Sequence, residues 1–212
     1  MHLLVTGFEP FGNDQYNASG EAVRLLPEHL DGHRISTAIL PVSFRRSGEV
    51  LAALLQEHQP DALVCVGEAG GRDEISIEVR GANEDNARIA DNDGAQPAQQ
   101  AIIQGGDFFR SATVDPQAVL RALHQHGHAA YLSEDAGRFV CNHIAYLAYG
   151  QEVPALFIHV PALRLEGQTA SVGAETDELE SVRSVQAEVG YSIVGLVVAL
   201  KDSLQSVISL MK

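Results

Sequence analysis

Two residue types able to carry nucleophilic and proton-transfer chemistry fall at informative places in this chain. Cys141 lies in Gly137-Arg138-Phe139-Val140-Cys141-Asn142-His143, between a strand-like run, Ala129-Ala130-Tyr131-Leu132, and a helical-looking segment, Ile144 to Tyr149. A thiol at a strand-to-helix junction has helix N–H groups and the positive end of the helix dipole beside it, and both favour the nucleophilic thiolate. Taken alone, a cysteine there is more commonly a small buried hydrophobe in a packed helix start, so partners decide the matter. A thiol nucleophile needs an imidazole within about 3 Å to accept its proton, and the imidazole needs an acceptor that orients it. His159, near the end of an apolar strand and just before Pro161, is a candidate base, although a satisfied core histidine is the commoner role of such a residue. His143 follows Cys141 by two positions, which point to different faces of a helix, and it reads as structural. Glu78, Asp85, Asp91 and Asp135 are all possible orienters, and spacing does not choose among them.

Other chemistries have weaker support. The nine histidines contain no HExxH pattern, and His124, His126 and His128 have no cysteine or carboxylate set beside them, so no metal and no cofactor is expected. Gly67-Glu68-Ala69-Gly70-Gly71-Arg72 has the glycines of an anion cradle but neither the P-loop lysine nor dinucleotide-fingerprint spacing. Asn17-Ala18-Ser19 matches a glycosylation acceptor only in form.

The elements that must position these groups alternate. Leu3-Leu4-Val5, 35–42, Ala62-Leu63-Val64-Cys65-Val66, 75–79, 129–132 and 153–160 read as strands. Cys65, inside a continuous apolar run, reads as core. Clean alternation over 75–79 places Glu78 on the face opposite the isoleucines, where an isolated strand glutamate is most often solvated. Helices are expected after a Ser19 cap, over 47–58, over 116–126, after Cys141, and in a long C-terminal helix opened by Thr176 or Asp177 with Val182, Val185, Val189, Ile193 and Leu196 in phase. The polar stretch 81–100 reads as a long functional loop. Strands alternating with helices imply a single α/β domain over residues 1–212, three layers with a mostly parallel sheet and helices on both faces. In such folds reactive groups gather at the carboxyl ends of the strands. Phe8, Phe11, Glu68, Cys141 and His159 all fall there, and Glu78 reaches the same region if its strand extends the sheet edge.

The totals exclude several function classes. A formal charge of −14 with only two lysines argues against nucleic acid and anionic membranes. Two cysteines are not a disulfide framework. The apolar run 193–200 is too short to span a bilayer before Lys201. With no basic leader at the N-terminus, the expectation is a soluble cytoplasmic protein.

Taken together, these stretches resemble the pyroglutamyl peptidase I (pyrrolidone carboxyl peptidase) family of cysteine peptidases. The matching segments are Thr6-Gly7-Phe8-Glu9-Pro10-Phe11-Gly12 with Asn17-x-Ser19; Val66-Gly67-x-Ala69-Gly70-Gly71-Arg72; Ile75-x-Ile77-Glu78; Ala87-Arg88-Ile89-x-Asp91-Asn92; Ala136-Gly137-x-Phe139-Val140-Cys141-Asn142-His143; and Phe157-Ile158-His159-Val160-Pro161. The resemblance implies a peptidase removing N-terminal pyroglutamate, with Cys141 as nucleophile, His159 as base and Glu78 orienting the imidazole. It implies that Arg88 and N–H groups near Cys141 stabilise the oxyanion, and that Phe8, Phe11, Asn17 and Phe139 shape the pocket for the lactam ring. It also implies N-terminally pyroglutamylated peptides as substrates and a homo-oligomer, tetramer or dimer. Glu68 stands where the family tends to carry Gln or an apolar residue, and beside the pocket it would accept from the lactam N–H or repel substrate. Arg138 likewise replaces a small polar residue. The alternatives are a phosphorylase or nucleosidase using the loop 67–72, and a ligand-binding protein without efficient turnover on the same scaffold.

Overall fold

The computed structural model describes residues 1–163 and 191–211. Its sheet has seven strands in the order β2 (His29–Leu30), β3 (His33–Leu40), β1 (His2–Phe8), β4 (Ala62–Ala69), β9 (Ala155–Pro161), β5 (Ile75–Glu78) and β8 (Ala130–Ser133). Pairing is parallel from β3 through β1 and β4 to β9, and again between β5 and β8; β2–β3 and β5–β9 are antiparallel. The central strands β1, β4 and β9 are buried on both faces, which is why their sequences run continuously apolar instead of alternating.

Alternate residues of those strands and of β5 feed two cores. Val5, Val64, Val66, Ile75, Ile77 and Ile158 face α1 (Ala18–Arg24), α3 (Pro116–Gln125) and α5 (Ile193–Leu210). Leu4, Leu63, Cys65 and Phe157 face α2 (Phe44–His58) and α4 (Val140–Ala148). The three-layer α/β expectation therefore holds. By length and composition α5 is apolar enough to cross a membrane, with 18 residues and a mean hydropathy of 1.6, but Leu196, Ala199, Leu200, Leu204, Val207 and Ile208 belong to the core beneath it.

Several local expectations change. The cap of α1 is Asn17, whose Oδ1 accepts from the Ser19 and Gly20 amides; the Ser19 hydroxyl instead accepts from Phe8 N–H at 3.1 Å, tying helix to strand. Ser43 caps α2, so that helix starts at Phe44, a turn earlier than hydrophobic spacing alone marks. β5 is not at the sheet edge, because β8 covers it. A short two-stranded sheet, β6 (Arg80–Ala82) with β7 (Phe109–Ser111), brackets the polar loop. Of the C-terminal helix, Ile193 and Leu196 lie in α5, while Thr176, Asp177, Val182, Val185 and Val189 fall outside the described residues.

Close approach of α1 to β1 is possible only because glycines face each other: a Cβ on Gly7 would meet Ser19 O at 2.7 Å, and one on Gly20 would press into the Phe8 carbonyl. Alanine at position 20 adds about 1 kcal/mol of helix propensity, but the obstacle is backbone, which cannot rotate aside. Gly20→Ala is expected to destabilise by about 1–3 kcal/mol and to lower Tm by about 4–10 °C in thermal unfolding. An unchanged Tm would show that α1 is free to lift off the strand.

Candidate active site

The carboxyl ends of β4 and β9 open into a cavity of about 780 Å³ whose lining includes Cys141, His159, Arg72, Glu68, Arg88 and Phe139. Each of the groups that meet there is delivered by a different element. Residues 155, 157 and 159 of β9 alternate onto the α2/α4 face, so His159 stands beside Phe157, their rings 4.9 Å apart. On β5 the isoleucines take the opposite core, which turns Ser76 and Glu78 to the same side as His159. The antiparallel β5–β9 pairing sets Ser76 against His159 and Glu78 against Phe157, and the Glu78 carboxylate reaches across to the ring: His159 Nδ1 lies 2.7 Å from Glu78 Oε1. Glu78 is fully buried, so the solvated reading of this glutamate is overturned.

Cys141 occupies the first turn of α4, whose start at Val140 lies just before it. The first-turn N–H groups of a helix have no i−4 acceptor, and the Phe139 side chain makes no capping hydrogen bond there. The sulfur lies over Gly67, where a Cβ would come within 2.9 Å of both Cys141 Sγ and Phe157 Cζ. Gly67 is the partner of His159 across the β4–β9 ladder, so strand register brings thiol and imidazole to one spot. With Nδ1 committed to Glu78, Nε2 is the nitrogen left to serve the cavity.

The electrostatics separate acid from base. Burial alone would push the Glu78 carboxyl up, but the hydrogen bond and charge of His159, together with the Arg72 guanidinium, outweigh it and hold the group below its ordinary value. Burial pushes the His159 imidazole below 6.5 against the pull of Glu78, and the charge of Arg72 adds to the lowering. The resting pair is thus a carboxylate and a neutral imidazole. Cys65, on the same sheet face, is driven by burial to about 12 and is an inert core thiol.

The remaining carboxylates are accounted for by other duties. Asp85 takes His143 Nδ1 at 2.8 Å, which makes His143 a clamp between α4 and the polar loop. Asp91 accepts from the amides of Phe44, Asp93 and Ala95, and Asp135 from Gly137 N–H and Arg138. The loop's register is further fixed by Asn142, which accepts from Ala82 N–H and donates to the Ala82 and Glu84 carbonyls, and by Asn92, which binds Glu9, Pro10 and Gly12. This loop carries exposed Arg88 to the cavity wall.

Not every expected pocket residue lines the cavity. Phe139 does, while Phe11 packs edge-on against it from behind at 5.3 Å between centroids. Phe8 and Asn17 are buried behind the wall, Asn17 as a helix cap. The Glu68 carboxylate, also in the lining, accepts from Ala18 N–H at the start of α1. Arg72 is the residue that sequence reasoning missed. Its guanidinium donates to Glu78 Oε1 at 2.5 Å, to the Ser76 hydroxyl and to Asp135 O at 2.7 Å. An arginine so engaged, and a Gly67 needed for contact with sulfur, leave the 67–72 stretch no anion-cradle role.

Two outcomes follow for thiol chemistry. The native protein is expected to show one thiol reactive toward a colorimetric disulfide reagent, with Cys65 titrating only after unfolding. Gly67→Ala is expected to push the sulfur off its position and to slow Cys141 alkylation by iodoacetamide on the order of 10²-fold, the usual cost of an ångström of misplacement. A wild-type rate in that variant would contradict the placement of Sγ over the strand.

Comparison with known proteins agrees with this geometry. The family model described as pyroglutamyl peptidase matches residues 1–200. A pyrrolidone-carboxylate peptidase of Streptococcus pyogenes is 40% identical over 167 residues, covering 76% of this chain and 78% of its own. Among solved structures, pyroglutamyl peptidase I of Bacillus amyloliquefaciens superposes with a TM-score of 0.83 at 31% identity, covering 98% of this chain and 97% of that one. Pyrrolidone carboxyl peptidase of Pyrococcus furiosus superposes with a TM-score of 0.86 at 29% identity over all of both chains. A model match over most of the chain, a relative at that identity and a shared fold say the same thing: the chain belongs to the pyroglutamyl peptidase family.

Proposed function

We propose that the protein is a cysteine peptidase that releases the N-terminal pyroglutamyl residue of peptides, with Cys141 as nucleophile, His159 as general base and acid, and Glu78 as the residue that fixes the imidazole. The observation that carries the assignment is the buried Glu78–His159 hydrogen bond, 2.7 Å long, set beside a thiol at a helix start. His159 takes the proton of Cys141, and the sulfur attacks the pyroglutamyl carbonyl carbon. The C–O electron pair moves onto oxygen, where first-turn N–H groups of α4 and Arg88 hold the oxyanion. Collapse breaks the C–N bond as imidazolium protonates the departing amine. Water, deprotonated by His159, then hydrolyses the thioester and returns the thiol.

The substrate suits the site. A pyroglutamyl ring is neutral and carries no ammonium group, so a wall built on Phe139 accepts it without burying a charge. Proline lacks the lactam carbonyl and leaves a polar group of the site unmatched. The protein is further proposed to act in the cytoplasm as a homo-oligomer. Both cysteines are free thiols, which suits a reducing compartment, and native mass measurement decides the assembly.

The test is hydrolysis of a fluorogenic pyroglutamyl amide. Cys141→Ala and iodoacetamide treatment are expected to abolish turnover, and Glu78→Gln and His159→Ala to lower kcat on the order of 10³–10⁴-fold. The prolyl amide is expected to be at least about 10⁴-fold poorer in kcat/KM. Full activity in Cys141→Ala would end the assignment.

A further inference from the structure

A carboxylate buried as completely as Glu78 is stable only with its charge matched, and a neutral imidazole does not match it. The cation is Arg72. Its Nη1 and His159 Nδ1 donate to the same oxygen, Glu78 Oε1, at 2.5 and 2.7 Å. Nη1 also stands 3.4 Å from Nδ1, and with both nitrogens carrying protons that contact is a repulsion and not a bond. Bonds to the Ser76 hydroxyl and the Asp135 carbonyl hold the guanidinium in this position.

We propose that Arg72 is a positioning residue of the Cys141–His159–Glu78 assembly, and that its charge, acting beside the shared Glu78 oxygen, sets the pH at which the thiol–imidazole pair becomes reactive. The inference rests on the peptidase reading above and deepens it. Arg72 favours the carboxylate that orients the ring, and it disfavours an extra proton on the ring itself. The fully protonated Cys141–His159 pair carries one positive charge, and losing one proton makes it neutral overall. Whichever atom keeps the second proton, that first loss is easier beside a cation. Without Arg72 the buried carboxylate would face the ring unopposed, and the ring would hold its proton to higher pH.

The surroundings point the same way. Around the ring stand Glu78 on β5, Cys141 on α4 and Arg72 on the β4–β5 loop, with Tyr131 of β8 near Arg72; Glu68, Arg88, Asp135 and Arg138 line the cavity beyond, and Tyr149 donates to the Glu78 backbone carbonyl behind β5. Glu68 is engaged by Ala18 N–H, and Asp135 and Arg138 are engaged with each other. Glu78 and Arg72 stand at Nδ1.

The experiment is the pH dependence of Cys141 alkylation by iodoacetamide, an uncharged reagent, alongside kcat/KM for the pyroglutamyl amide. Alkylation reads the thiol–imidazole pair without any substrate, and buried Cys65 does not contribute. In Arg72→Gln the acid limb of both profiles is expected to move up by about one pH unit, which slows alkylation severalfold near pH 6. In Arg72→Lys, which keeps the charge and loses the fork, the limb stays with wild type while kcat falls. A profile in Arg72→Gln that drops in amplitude without moving would show a merely structural arginine and overturn the proposal. Should Arg72→Gln fail to melt cooperatively, Arg72→Met, equally neutral, carries the test: a limb moved up supports the charge, and an unmoved limb overturns the proposal. If the amide is not cleaved but the alkylation limb shifts as stated, the peptidase reading fails and the electrostatic role stands.

Discussion

Glu78 is a charged group with no exposure, inside a sheet whose neighbouring strands are apolar. Burying a carboxylate costs several kcal/mol unless cations and donors meet it, and here His159 and Arg72 meet it on one oxygen. Oε2 makes no hydrogen bond among the described residues, so that single oxygen carries the local order. The interaction constrains the fold in return. β5 must run antiparallel to β9 for Ser76 and Glu78 to come level with His159 and Phe157, and a mostly parallel sheet accepts that reversal next to its last strand. Removing either donor would leave a buried charge part-matched, so the triad and the sheet's stability are not separable properties.

The thiol is placed by a different kind of constraint. No hydrogen bond positions a sulfur well; packing does. α4 is pinned to the polar loop by Asn142 and by the His143–Asp85 pair, both within two residues of Cys141. Phe139, just before the helix, is wedged between Phe11 and Phe44. Together these fix the height of the helix start above the sheet, and Gly67 supplies the clearance beneath it. The polar loop therefore has two duties: its carboxylates and amides hold backbone, and through that backbone it holds Arg88 at the cavity.

Legibility from sequence follows from what periodicity encodes. Alternation gave the face of Glu78 correctly, because face depends only on parity along one strand. It gave the wrong environment, because exposure depends on which strands lie alongside, and nothing in 75–79 says that β8 covers that edge. Cys141 and His159 were visible as candidates at the ends of elements, whereas the choice of Glu78 over Asp85, Asp91 and Asp135 needed the tertiary pairing or the family resemblance. Helix starts were misjudged where a polar side chain, Asn17 or Ser43, caps ahead of the first apolar residue. Arg72 went unassigned because the need for a cation follows from the burial of Glu78, which the sequence does not show, although Arg72 and Arg80 flank that strand. Sequence does not separate those two, and the structure does, since Arg80 turns to Glu134.

The two cysteines show how far environment outweighs residue type. Cys65 and Gly67 are alternate residues of β4 on the same face, and Cys141 Sγ rests on the second while the first is sealed into the core. One thiol has no donor-rich neighbourhood and is held at about 12; the other stands at a helix start beside an imidazole. The same reasoning extends to what the cavity admits. A peptide with an ordinary ammonium terminus would need a carboxylate to receive it, but the Asp135 carboxylate is already bonded to Arg138 and Gly137 N–H, and Glu68 accepts from the start of α1. Such an ammonium would meet the Arg72 charge near the reacting atoms. A lactam ring, with its nitrogen acylated and neutral, meets no such repulsion, so the Arg72 charge favours a blocked terminus over an ammonium at the reacting end of the cavity.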